Sequence, residues 1–251
     1  MIKVLSLVNN KINASGAAAF AKNKVLKQLY FGKNNISDDG AAAFTNNTTL
    51  DFLGIAANGV TREGVLVLAK NSTLKKINIS HNDIDDMAIA RLATNPSLVH
   101  LNASYTGLGN RSIAAIVDNT SIKSLLSDGN HLDDNDAKLL AASELKVLSL
   151  SNNDIGAEGG IKLAQDKTLR KLYINRNHVG DGGALEFAKS KTLSALFIMY
   201  NGLTQVGMDA LSENIYFDVV WYGETKATTK MVNRISPNSV PFMASERLFI
   251  E

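Results

Sequence analysis

The chain has 251 residues, 45% of them hydrophobic, and a formal net charge of +2. A balance so near neutral gives no electrostatic case for nucleic acid or a membrane surface, and no apolar run approaches the roughly 18 residues of a spanning helix. Zero cysteines exclude disulfides and a thiolate nucleophile, and they are consistent with a cytoplasmic working place.

The N-terminal MIKVLSLVNN reads as a strand rather than a signal peptide, because it lacks an apolar h-region and a cleavage site. Val4, Ser6 and Val8 alternate with Leu5 and Leu7, and Asn10 closes the strand. Ile2 has no polar cap before it, so the first repeat is expected to leave an apolar edge open. The pattern then returns every 24 residues, through Asn34, Asn58, Asn82, Thr106 and Asn130. The outward strand residues in these repeats are Gln28, Tyr30, Gly32; Phe52, Gly54, Ala56; Lys76, Asn78, Ser80; His100, Asn102, Ser104; and Ser124, Leu126, Asp128. Behind each strand comes a capping candidate (Ser37, Thr61, Asp85, Asp133, later Thr204). Apolar residues at i, i+3, i+4 spacing follow, as in Val65, Leu68, Ala69 and Ile113, Ile116, Val117, which predicts a short helix. Glycines such as Gly40, Gly64, Gly159 and Gly207 are expected to let these helices pack closely. The sixth repeat is irregular: Ser127 replaces an apolar residue, Ala103 before it is small, and Asn153 arrives one residue early. A weak middle is expected there.

The later repeats are the clearest. LKVLSLSNN runs from Leu145 to Asn153 and LRKLYINRN from Leu169 to Asn177, and the earlier LKKINISHN, Leu74 to Asn82, matches them. Their outward residues are Val147, Ser149, Ser151 and Lys171, Tyr173, Asn175. Ala195, Phe197, Met199 and Asn201 follow, then Val219, Trp221 and Gly223, with Thr225 as the last ladder position. The solenoid is thus read over 1–225. The tail 226–251, with Pro237, Pro241, Phe242, Leu248 and Phe249, is read as a C-terminal cap.

The recurring asparagine has a physical reason. The chain turns sharply after each strand and leaves buried backbone groups there, and an amide both donates and accepts. Stacked asparagines can satisfy the turns of adjacent repeats, and losing one costs roughly 1–3 kcal/mol. Thr106 is the poorer substitute.

On these residues the chain resembles leucine-rich repeat proteins of the ribonuclease-inhibitor-like class. Its composition is similar to that of effectors that intracellular bacteria such as Legionella deliver into host cells. The resemblance implies an α/β solenoid or horseshoe, with parallel strands on a concave face and short helices on a convex one. It also implies protein binding as the job, in the host cytoplasm for a delivered effector. Some such repeats activate GTPases, which would call for exposed residues such as Arg176 and Lys33 at the strand-exit rim.

The partner is therefore expected to be another protein, an enzyme or a co-delivered effector, rather than nucleic acid or membrane. Tyr173, Phe197, Met199 and Trp221, with Tyr200 at the rim, form the expected hot spot. Tyr30 and Phe52 form a weaker second cluster, and Lys171, Arg176 and His100 are further partner-binding candidates. No cofactor is called for. His81, His100, His131 and His178 lack the carboxylate company of a metal site or a triad, and no phosphate-cradling motif occurs, so no catalytic residue is assigned. The pairs Asp38–Asp39, Asp85–Asp86 and Asp133–Asp134 fall at helix starts, where negative charge suits the dipole.

Overall fold

A computed structural model describes residues 1–224 and 230–233. The chain divides into two compact units, Met1–Asn130 and His131–Glu251, and the division falls inside the irregular sixth repeat. Each unit is a stretch of α/β solenoid. In the first, strands β1 (Val4–Ser6), β2 (Gln28–Tyr30), β3 (Phe52–Gly54), β4 (Lys76–Asn78), β5 (His100–Asn102) and β6 (Ser124–Leu126) alternate with helices. Those helices are α1 (Ala14–Ala21), α2 (Ser37–Ala42), α3 (Arg62–Leu68), α4 (Asp86–Ala93) and α5 (Asn110–Asp118). The second unit holds α6 (Asp134–Leu140), β7 (Val147–Ser149), α7 (Ala157–Ala164), β8 (Lys171–Tyr173), α8 (Gly180–Phe187), β9 (Ala195–Phe197), α9 (Gln205–Glu213), β10 (Val219–Tyr222) and β11 (Lys230–Asn233).

The strands pair in parallel and in strict repeat register. Leu29, Leu53, Ile77, Leu101 and Leu125 form one buried row in the first unit, with the half-buried Leu5 at its open end. Leu148, Leu172, Leu196 and Val220 form its counterpart in the second. Period-two alternation turns these side chains toward the helices. Phe31 meets Phe20 edge to face at 5.5 Å and the tilted Phe44 ring at 5.9 Å. In the second unit Phe187 and Phe217 are the large fully buried rings beneath the helices.

The asparagine ladder forms as its chemistry requires. Asn34 Nδ2 donates back to Leu7 O in the preceding repeat and to its own Phe31 O, while its Oδ1 accepts from Asn10 N and Ile12 N. Asn82 likewise donates to Ile55 O and accepts from Asn58 N and Val60 N. Asn177 joins Leu150 O to Ile155 N in the second unit. Thr106 breaks the series: its hydroxyl reaches only its own repeat at Ala103 O and the next asparagine's Oδ1. Ile84 N, left without an amide to meet, turns back to Asn82 O. Thr106→Asn should therefore stabilise the protein by about 1 kcal/mol in urea unfolding, because it restores one cross-repeat acceptor and one donor. At the far end Glu224 Oε1 accepts from Asn201 N and Leu203 N at 3.0 Å, so a carboxylate ends the ladder there. Thr225, read as the terminal position, lies outside the described residues.

A second ladder, not read from the sequence, runs along the helix-to-strand returns. Asn47, Asn71, Asn95 and Asn119 each send Nδ2 to two carbonyls of the preceding repeat. Each Oδ1 accepts the amide of the residue two positions on, as in Thr73 N to Asn71. Asp166 takes the accepting half of this role and Asn214 the whole of it in the second unit. The same 24-residue spacing stands in Asn23, Asn47, Asn71, Asn95 and Asn119, the one sequence signal of this ladder.

Helix starts show a third device. Thr61, Asp85, Asp133 and Thr204 cap their helices, and Asp133 forms a full capping box with Asp136. Ser37 does not: it sits inside α2 at φ 56° and donates to Ile36 O. The acids matter more than a dipole argument predicts, because each serves the next repeat. Asp38 accepts Thr61 N, Asp86 accepts Gly109, Arg111 and Ser112 N, Asp134 accepts Gly156 and Gly159 N, and Asp181 accepts Thr204 and Gly207 N. This explains Gly64, Gly159 and Gly207, whereas Gly40 leaves room for Ile36 and Ala17. A Cβ on Gly159 would lie 2.6 Å from Asp134 Oδ1, and one on Gly64 2.5 Å from Asp38 Oδ1.

At the first repeat Ile2 is 69% and Val4 54% exposed, so the apolar edge is open. At the last, β11 pairs antiparallel with β10, Val219 opposite Asn233 through Tyr222 opposite Lys230. The rest of the expected cap 226–251 lies outside the described residues.

Candidate functional site

The ten side chains expected on the sheet face fall in both units. In the first unit Tyr30 and Phe52 meet at 4.5 Å, and the Tyr30 hydroxyl donates to Gln28 Oε1 at 3.2 Å. Phe52 is buried and Tyr30 half-buried, so only Tyr30 offers much surface. His100 stands at the head of β5, opposite Lys76 in register. Burial, and then the neighbouring Lys76 charge, push its pKa down to about 4, so it is neutral at neutral pH. The unfolded chain binds that proton more readily, so His100 makes the fold lose stability as pH falls from about 6.5 toward 4.

The second unit corrects the expectation of a fully exposed aromatic patch. Tyr173 and Phe197 occupy the same strand position in adjacent repeats, and their rings stack at 4.5 Å and 10°. Trp221 continues the row at 6.1 Å and 55°. Stacking along the rungs removes the inner rings from water: Phe197 is 0% exposed, and Tyr173 and Met199 are 7% exposed. Tyr173 and Phe197, with Ala195 and Val219, form a small core on the outer side of the sheet, flanked by Val147 and Trp221. The single-residue sequence reading counted each ring as outward and missed that neighbours one rung apart cover each other.

What remains accessible is the margin of this core. Trp221, Tyr200 and Lys171 are half-buried and Arg176 is exposed. Arg176 and Tyr200 both precede a ladder asparagine, and both take the left-handed conformation, at φ 56° and 58°. That conformation recurs at Lys33, Ala57, His81 and Tyr105 in the first unit, where each backbone N–H still bonds the next repeat. Side chains at this position are consequently aligned along the strand-exit rim. Arg176 holds its guanidinium carbon 5.1 Å above the Tyr200 ring, and His81 stacks on Tyr105 at 4.6 Å. Nothing in a single repeat of the sequence signals these pairs; their common offset from the ladder asparagine does.

The remaining histidines stand apart from this chemistry. His131 pairs with Asp154 at 3.3 Å on the surface, and His178 is exposed. Among the described residues no group of three or more His, Asp or Glu side chains is placed to share a metal ion. No helix of the described residues is long and apolar enough to cross a membrane.

The family described as Leucine Rich repeat matches residues 1–21, 22–44, 70–93, 144–164 and 165–188. No curated protein gives a match. The fold is similar to that of human trophoblast glycoprotein, also titled Wnt-activated inhibitory factor 1, with a TM-score of 0.52 and 17% identity over 79% of this chain and 78% of that one. It is also similar to internalin C2 of Listeria monocytogenes, with a TM-score of 0.51 and 19% identity over 88% of this chain and 81% of that one. Over those five segments the repeats match the Leucine Rich repeat family, and the fold they build is an α/β leucine-rich repeat solenoid similar to these two structures.

Proposed function

We propose that the chain is a protein-binding module whose sheet face and strand-exit rim in the second unit grip a partner polypeptide. The supporting observation is the set Trp221, Tyr200 and Arg176: the three residue types most concentrated in interface hot spots, gathered beside a buried aromatic base. The Tyr173–Phe197 stack fixes that base, so the accessible rings are ordered before binding and lose less entropy on contact. Lys171 adds a cation at the margin, and Tyr30 and His100 offer a separate, more polar contact in the first unit.

The working place is the cytoplasm, which the lack of cysteine supports, and for a delivered bacterial effector that is the host's. A partner enzyme whose active site is covered would be inhibited, as the ribonuclease-inhibitor-like resemblance implies. The module itself performs no chemistry in this reading. A GTPase-activating role has one point in its favour, the exposed Arg176 and Lys33 on the strand-exit rim. GTP hydrolysis by a panel of small GTPases, measured with and without the protein, separates the two.

The test of the main reading is comparative. Proteins captured by the wild type from a cell lysate are identified, and their affinities for Trp221→Ala and Arg176→Ala are measured by calorimetry. Each variant is expected to bind at least tenfold more weakly, about 1.4 kcal/mol or more, with unchanged circular dichroism. Equal affinity for both variants removes this margin as the binding site.

A further inference from the structure

We propose that the strand-entry rim of the second unit is a separate docking surface for an acidic segment of a partner protein. The near-neutral total charge conceals a local run of cations. The returns from α7 and α8 carry Lys167, Arg170, Lys189 and Lys191, and Lys171 opens β8; Asp166 and Glu186 lie among them. A cleft of about 320 Å³ opens between these two returns, with Gln165, Lys167, Lys189, Lys191 and Thr192 in its wall.

The carboxylates in the cleft are already engaged. Asp166 is buried, and its Oδ1 accepts the amides of Thr168 and Leu169. Glu186 accepts from Lys189 Nζ at 2.8 Å and Gln165 Nε2 at 3.3 Å, and these bonds hold its pKa below the usual carboxylate value. Among the described residues no carboxylate lies within 4 Å of Lys167, Lys171 or Lys191. Helix dipoles account for Lys189, just past α8 and paired with Glu186. They do not account for Lys167 and Lys191, which lie beyond the last helical turn, where the dipole's influence has faded.

Lys167 and Lys191 hold the same position in successive repeats and both line the cleft, so it is flanked by two cations without carboxylate partners among the described residues. Lys191 is steadied above the Tyr216 ring, its Nζ 5.9 Å from the centroid, so the charge is presented rather than left to wander. An extended peptide places alternate side chains on one side at about 6.6 Å. A segment with acidic residues at alternate positions can therefore offer a carboxylate to each flexible lysine.

The probe is a fluorescent peptide with four glutamates at alternate positions, together with its glutamine counterpart, titrated against the whole protein by anisotropy at two salt concentrations. The glutamate peptide is expected to bind with an affinity that falls as salt rises, and the glutamine peptide to bind at least tenfold more weakly. Lys167→Glu/Lys191→Glu, both exposed and free of structural bonds, should weaken the glutamate peptide at least tenfold. Trp221→Ala should leave it unchanged, which keeps this rim distinct from the sheet face. Three results overturn the proposal: no binding of the glutamate peptide, equal binding by the double variant, or tighter binding of an oligonucleotide or anionic vesicle than of the peptide.

Discussion

Phe197→Ala is expected to destabilise the protein by about 3 kcal/mol, read as a lower urea midpoint with an unchanged slope. The ring is 0% exposed and lies between Tyr173 and Trp221. Truncation leaves a void on the outer face of the sheet, where backbone held in register by β8 and β10 cannot close in. Trp221→Ala removes a larger but half-exposed ring, and so should cost less stability while costing more in binding. A Phe197→Ala variant within about 0.5 kcal/mol of wild type would show that the stack is not a core. Any loss of partner binding by that variant must be judged against its stability.

Asp86→Ala should cost about 2–3 kcal/mol, the other large effect. Its carboxylate accepts three backbone amides, from Gly109, Arg111 and Ser112, and α5 has no cap of its own. The group's pKa lies below its ordinary value: burial pushes it up, and the bonds from Ser112, Arg111 and Gly109 together outweigh that. With the folded pKa depressed, the stabilisation is complete above the unfolded value of about 3.8 and is lost as pH falls through the folded one. Asp133 and Asp181 shift the same way, the first chiefly through the Asp136 amide and the second chiefly through the Thr204 hydroxyl. Urea unfolding of wild type between pH 5 and 2 should therefore steepen below about pH 4, and Asp86→Ala should flatten that limb. An identical pH profile for the variant would exclude Asp86 as a source of acid sensitivity.

The repeat made most of the fold legible. Period-two alternation placed Leu29, Leu53 and Ile77 in one buried row, and the asparagine spacing located the strand-exit turns. Spacing cannot tell what a side chain does across a rung. Ser37 had the type and place of a cap, yet the chain passes through it at positive φ and its hydroxyl turns back. Phe197 had the phase of an exposed residue, yet its neighbours at the same phase buried it. Both misses arise because the repeat sets position along the chain, while contact is decided by what the adjacent repeat places alongside. Arg176 and Tyr200 were named separately and prove to be one pair for the same reason.

The acids that cap the following helix, Asp38, Asp86, Asp134 and Asp181, come at intervals of 48, 48 and 47 residues, two repeats each time. The interchangeable brick of this architecture is therefore a doublet. Excising one 24-residue coil would set two donor coils or two receiving coils side by side, whereas excising two would restore the phase. Shortened or lengthened versions should tolerate even steps and resist odd ones.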